Sequence, residues 1–228
     1  MAMISNITAS KMNGAPTQDL RNEAFVDSMK ELADYYSALL RCVQAQRSGR
    51  DTQSYSVGIT SCSPDASATT IAINLAIIAA RSGHRRVLLV DANTKSPSIA
   101  KSLGVMTSVG LTDVLSGSAL LGDALQTTTI DGLSLLAVGN RGKQLGTDYD
   151  VQQVVDLLDE LKSEFEFIVF DLPQADELSE CYAFAEVLGG VFLVVEAGRV
   201  DGRVARRVKQ RLEHGGANLL GAIYTNQN

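Results

Sequence analysis

Apolar and polar positions along the chain switch repeatedly between two periods, and the switches mark out elements. From about Leu20 to Gln46, Phe25, Met29, Leu32, Tyr36, Leu39, Leu40 and Val43 recur at spacings of three and four, which predicts a helix. Arg47–Ser54 is a polar connector, and Tyr55–Thr60 is a short β-prone run. Thr69–Arg81 predicts a helix closed by Gly83, apolar around its circumference and so expected to be buried on most sides. Continuous apolar runs at Arg86–Asp91, Leu133–Val138, Phe167–Asp171, Val191–Glu196 and Leu219–Thr225 predict strands. Helical pieces are predicted at Ser98–Ser102, Leu111–Leu115 and Leu120–Leu125, and longer ones at Asp150–Ser163, Ala175–Leu188 and Asp201–His214. Strands that are apolar on both faces and alternate with helices imply a parallel sheet with helices on both faces, the α/β class. Residues 1–18 are polar and contain Gly and Pro, so a flexible N-terminal tail is expected, followed by a single domain over 19–228.

Composition narrows the function only by exclusion. The chain has 228 residues, a net charge of −6 and a pI of about 5.0, a balance that does not favour nucleic acid. Cys42, Cys62 and Cys181 have no metal-type spacing and suggest a reduced, cytoplasmic setting. His84 and His214 are isolated. The most apolar stretches, Ile71–Ala80 and Val187–Gly198, fall far short of the roughly 20 residues that cross a bilayer. Membrane association is therefore expected only through a partner.

The stretch 55–74, YSVGITSCSPDASATTIAIN, has the strand–loop–helix layout of a phosphate-binding loop. A working loop reads GxxxxGK[ST]: glycines turn backbone N–H groups toward the phosphates, the lysine neutralises charge and the hydroxyl holds magnesium. Here Cys62 and Ser67 take the glycine positions, Ala68 takes the lysine position, and Asp65 adds a negative charge. Thr69 and Thr70 remain at the helix start, where a hydroxyl serves either as a magnesium ligand or as a helix cap. Asp91 and Asp171 each end an apolar strand, the placement of a metal-binding carboxylate and equally of one that caps a loop. GNRGK (139–143) reads as a flexible loop. Arg199, Arg203, Arg206, Arg207, Lys209 and Arg211 make the last helix basic, which is a solvated face or a docking surface for an acidic partner or anionic lipid.

Over about Glu23 to Asn226 the chain resembles the bacterial tyrosine autokinases of capsular and exopolysaccharide systems, the BY-kinases of the CpsD/CapB type. These are themselves similar to the MinD/ParA ATPases. The resemblance is carried by TSCSPDASATTIAINLAIIAARSGHRRVLLVDANTKSPS, SVGLTDVLSGSA, LSLLAVG, FEFIVFDLPQ, GGVFLVVEAG and LLGAIYTN, in the family's order and spacing. It implies a P-loop NTPase-like fold, with a degenerate phosphate loop at Ser67, Ala68, Thr69 and Thr70 and a magnesium site at Thr69, Asp91 and Asp171. The catalytic lysine of the family falls on Ala68. The two aspartates of its second motif fall on Asp91 and Asn93, of which only Asp91 can carry charge. The Thr and second Pro after Asp171 are replaced by Leu172 and Gln174. The ring-assembly motif falls on Glu23, Val26 and Met29, without its arginines. The tyrosine-rich tail is not expected after TNQN. Lys95 matches a basic residue of the family's own pattern. The resemblance therefore implies a catalytically impaired component of polysaccharide assembly at the inner face of the membrane. Its partner would be a membrane polysaccharide co-polymerase, and its use of ATP and magnesium is doubtful. The rival expectation is a functional tyrosine kinase or ATPase with an atypical loop. A partitioning-type ATPase is opposed by GLTDVLSG and by the empty lysine position.

Overall fold

The computed structural model describes residues 3–8, 23–45, 54–64, 67–84, 86–139, 151–175 and 180–226, with side chains from 33 to 225 within those ranges. In chain order the elements are β1 (Met3–Thr8), α1 (Glu23–Ala45), β2 (Tyr55–Ser61), α2 (Ala68–Arg81), β3 (Val87–Asp91) and α3 (Ile99–Ser102). Then come α4 (Leu111–Leu115), α5 (Leu121–Ala124), β4 (Leu125–Thr127), β5 (Leu133–Leu136) and α6 (Val151–Glu164). The chain continues with β6 (Phe167–Asp171), α7 (Cys181–Val187), β7 (Gly190–Glu196), α8 (Gly202–His214) and β8 (Leu219–Asn226).

The strands form one sheet in the order β1-β8-β7-β2-β6-β3-β5-β4. All neighbouring pairs are parallel except β4 on β5, an antiparallel edge that the alternation of elements did not reveal. Side chains leave each strand on alternate faces. Val57, Ile59, Val87, Leu89, Phe167, Val169, Phe192 and Val194 join the apolar cluster under α1 and α2. Leu88, Val90, Ile168, Phe170, Val191, Leu193 and Val195 join the opposite cluster with α4 to α8. Both faces are covered, and this is why these strands read as continuous apolar runs.

Two expectations change, at Met3–Thr8 and at Ala175. Met3–Thr8 runs parallel to β8 as an edge strand, within the stretch read as a loose tail. α2 is covered along its length as expected: Ala68, Ile71, Ala72, Leu75, Ala76 and Ala79 are buried, Ile73, Ile77 and Ile78 are half-buried, and within the helix only Arg81 is exposed. Of the helix read over Ala175–Leu188, the described residues show α7 at Cys181–Val187, and Ala175 is not helical. Leu172–Ala175 instead runs beside β2, with Leu172 N–H donating to the Ile59 carbonyl at 2.9 Å and Ala175 N–H to the Ser61 carbonyl at 3.0 Å. Among the described residues, no helix is long and apolar enough to cross a membrane.

Candidate functional site

Register creates the site. β3 and β6 pair in parallel with Asp91 opposite Asp171, so the two carboxylates leave neighbouring strand ends on one face. Alternation from Leu89 and Val169 puts that face on the α2 side. The same parity carries Ser61, two residues beyond the Ile59 that pairs with Asp171, and Glu196, two beyond the Val194 that pairs with Ser61. Four adjacent strands thus raise a diagonal of polar groups (Asp91, Asp171, Ser61, Glu196) below the loop that enters α2.

The first turn of α2 meets this diagonal through Thr69, whose hydroxyl donates to Asp171 Oδ2 at 2.7 Å. Asp171 Oδ1 is buried without a hydrogen-bond partner. Burial first, then the neighbouring Asp91 charge, push the Asp171 carboxyl up to about 8, against the Thr69 bond that favours the charged form. Burial also raises Asp91, to about 6, despite three backbone donors. An adjacent buried pair of this kind keeps one proton near neutrality, or accepts a cation in its place.

Asp91 is committed to the chain. Asn93 N–H donates to Oδ1, and Ser98 and Ile99 N–H donate to Oδ2, all at 3.2 Å. Asn93 forms a local turn in which its Oδ1 accepts from Ser96 N–H at 3.2 Å. The carboxylate therefore orders residues 92–99 and opens α3. Lys95 is exposed on this loop, and the Thr94 hydroxyl donates to Glu180 Oε2 at 2.9 Å.

On the loop side, Ser67 occupies the cap position of α2 without a side-chain capping bond, and its carbonyl accepts from Ile71 N–H at 2.9 Å. Ala68 is 6% exposed and packed into the α1–α2 cluster. Thr70 is half-buried on the same turn. Asp65 lies outside the described residues, as do Asn140–Lys143 of GNRGK. Glu23, Val26 and Met29 lie on the α1 backbone, with side chains outside the described set.

Sequence reasoning passed over the groups that hold the loop down. Gln174 Nε2 donates to the Cys62 carbonyl at 3.2 Å, and Cys62 N–H donates to the Val194 carbonyl at 3.1 Å. The Ser61 hydroxyl donates to the Ser63 carbonyl at 2.8 Å, and the Thr60 hydroxyl to the Pro173 carbonyl at 2.7 Å. Ser63 Oγ donates to Glu196 Oε2 at 3.4 Å, and Arg199 pairs with Glu196 Oε1 at 3.3 Å. Glu196 is 1% exposed and ends GVFLVVE as the two aspartates end their strands, so the same signal marked it.

The residues fit a divalent cation better than a polyphosphate. Asp171 Oδ1 is an unused buried acceptor beside the Thr69 hydroxyl. Magnesium is commonly held by one or two carboxylates with water completing its shell. Among the described residues, no group of three or more His, Cys, Asp or Glu forms a metal-ligand set, so such an ion would keep much of its water. On the loop side, the first residue of α2, Ala68, offers a buried methyl group and no charge.

No family model matches the chain. It is 29% identical over 212 residues to the tyrosine-protein kinase CpsD of Streptococcus pneumoniae, spanning 91% of this chain and 89% of that kinase. This chain is homologous to the bacterial tyrosine kinases. It is also 26% identical over 175 residues to the succinoglycan biosynthesis transport protein ExoP of Rhizobium meliloti, spanning 22% of that longer protein. The VpsO kinase domain superposes with a TM-score of 0.72 at 26% identity, covering 90% of this chain and 99% of that domain. The chimerical protein CapA2B2 covers the whole chain and 94% of its own, with a TM-score of 0.77 at 22% identity. MinD of Pyrococcus horikoshii, solved with Mg-ADP, covers 75% of this chain and 70% of its own, with a TM-score of 0.62 at 24% identity. The fold is P-loop NTPase-like, and the chain is homologous to kinase domains of capsule and exopolysaccharide biosynthesis proteins.

Proposed function

We propose that this chain is a catalytically impaired BY-kinase-like protein of exopolysaccharide or capsule assembly. It acts at the inner face of the membrane as a docking or regulatory module for a polysaccharide co-polymerase. What supports the reading is Ala68, on which the family's catalytic lysine falls by resemblance and whose methyl group is buried against the α1–α2 core. The loop around it is tied to β7 and to Gln174 through its own backbone. A charge-assisted contact contributes roughly 1.5–3 kcal/mol, so losing the lysine weakens triphosphate binding by about tenfold to a hundredfold. Asn93 adds to the impairment, because an amide cannot serve as a base.

Magnesium, if bound, supplies charge neutralisation for an anionic ligand. Asp171 and Thr69 would hold it, with Asp91 completing the acidic pair while it orders residues 92–99. That geometry favours the second reading, a functional ATP-binding kinase or ATPase with an atypical loop. The two separate by calorimetry with ATP, with and without magnesium. The first reading expects no stoichiometric micromolar binding. Such binding, abolished by Asp171→Ala, would overturn it. Affinity capture from membranes should recover a polysaccharide co-polymerase.

A further inference from the structure

The helical layer formed by α6, α7 and α8 carries two opposed ridges of charge. α7 packs between the other two, and all three bury their apolar stripes in one cluster, so α6 and α8 project their polar sides from the same layer. On α8, Val208 and Leu212 face the core, which leaves Arg203, Arg206, Arg207, Gln210 and His214 exposed. Arg203 pairs with Asp201 at 3.0 Å and Lys209 with Glu213 at 2.7 Å, whereas Arg206 and Arg207 have no ionic partner among the described residues. On α6, Val154, Leu157, Leu158 and Leu161 face the core. Asp156, Asp159, Glu160 and Glu164 are exposed, and the last three have no cationic partner among the described residues.

We infer that this layer is a self-complementary interface, with the basic ridge of α8 seated on the acidic ridge of α6 in a second copy of the chain. A two-fold axis lying in the interface and running along α7 exchanges the positions of α6 and α8. Each arginine ridge then meets a carboxylate ridge, twice per dimer, which is the reciprocity an isologous contact requires. An axis across the helices would set α8 on α8 and is excluded by like charge. A flat anionic membrane against the same layer would meet the α6 carboxylates, so the charge pattern favours a second copy over lipid. Both helices are about 20 Å long, and their axes lie two packing distances apart, roughly 20 Å. The face is then roughly 600 Å² per copy, the size of a transient contact.

The test is sedimentation velocity of the full chain at about 0.1 M salt and protein concentrations up to about 100 μM, with thermal melts to verify folding. The wild-type chain should dimerise with a dissociation constant in the micromolar range. Arg206→Glu with Arg207→Glu should weaken self-association at least about tenfold, and so should Asp159→Lys with Glu160→Lys. Mixing the two variants should restore association to within about threefold of wild type, because both contacts become complementary again. A wild-type chain that stays monomeric, or folded variants that associate as wild type does, would overturn the inference. So would a monomeric chain whose binding to phosphatidylserine vesicles depends on Arg206 and Arg207, since that result assigns the ridge to lipid.

Discussion

The two walls of the candidate site differ in what they can offer a ligand. The strand-end wall keeps acids and a hydroxyl in a geometry that suits a cation: Asp91 beside Asp171, and Thr69 bonded to Asp171. The loop wall offers the buried methyl group of Ala68 at the start of α2, and its carbonyls at Cys62 and Ser63 accept from Gln174 and Ser61. The difference shows which parts of such a site the fold itself needs. Asp91 organises residues 92–99, and the Thr69–Asp171 bond joins α2 to β6, so both have structural work apart from any ligand. Ala68, with its methyl side chain, makes no such polar link.

The largest expected effect tests the acidic wall. A carboxyl whose pKa rises on folding keeps its proton in the folded protein where the unfolded chain has already lost it. Asp171 rises from 3.8 to about 8, so stability should fall by several kcal/mol as pH rises from about 4 and level off above about 8. Asp91, raised to about 6, should add to the lower part of that range. Urea unfolding across pH measures the slope. Asp171→Asn should flatten it, and an unchanged slope would mean that the two carboxyls are not the acids responsible.

Restoring the other wall comes next. Asp65→Gly with Ser67→Gly and Ala68→Lys should raise ATP affinity by about tenfold to a hundredfold by calorimetry. No gain would mean that changes elsewhere close the site, and the contrast between the walls would lose its meaning. Thr69→Val should cost about 2 kcal/mol at pH 9, where Asp171 is charged, and less at pH 6, measured by urea unfolding. An equal cost at both pH values would assign the loss to packing. The smallest effect is at the loop latch. Gln174→Ala should cost about 1 kcal/mol and speed hydrogen exchange at Cys62 and Ser63, with little change in the pH slope.

Much of this site was legible because it follows from local pattern. RVLLVD and FIVFD mark buried strands that end in acids, and a parallel sheet places such ends together. Gln174 was visible only as a departure from a proline, since nothing local indicates that its amide reaches Cys62, 112 positions away. Glu196 carried the same strand-end signal as the aspartates, but its strand sits beyond β2, and only the sheet order brings it to the loop.

The sequence by itself determined the class of fold, the strands at its centre and the identity of the groups at their ends. Period and apolar content are properties of short segments, and burial on both faces leaves its mark there. Tertiary structure decided what those groups do. It set Asp91 opposite Asp171, aimed Thr69 at one oxygen and left the other without a partner, turned Asp91 toward three backbone N–H groups and buried Ala68. Register, burial and hydrogen-bond partners depend on strands distant in sequence, and the protonation of a carboxyl depends on all three.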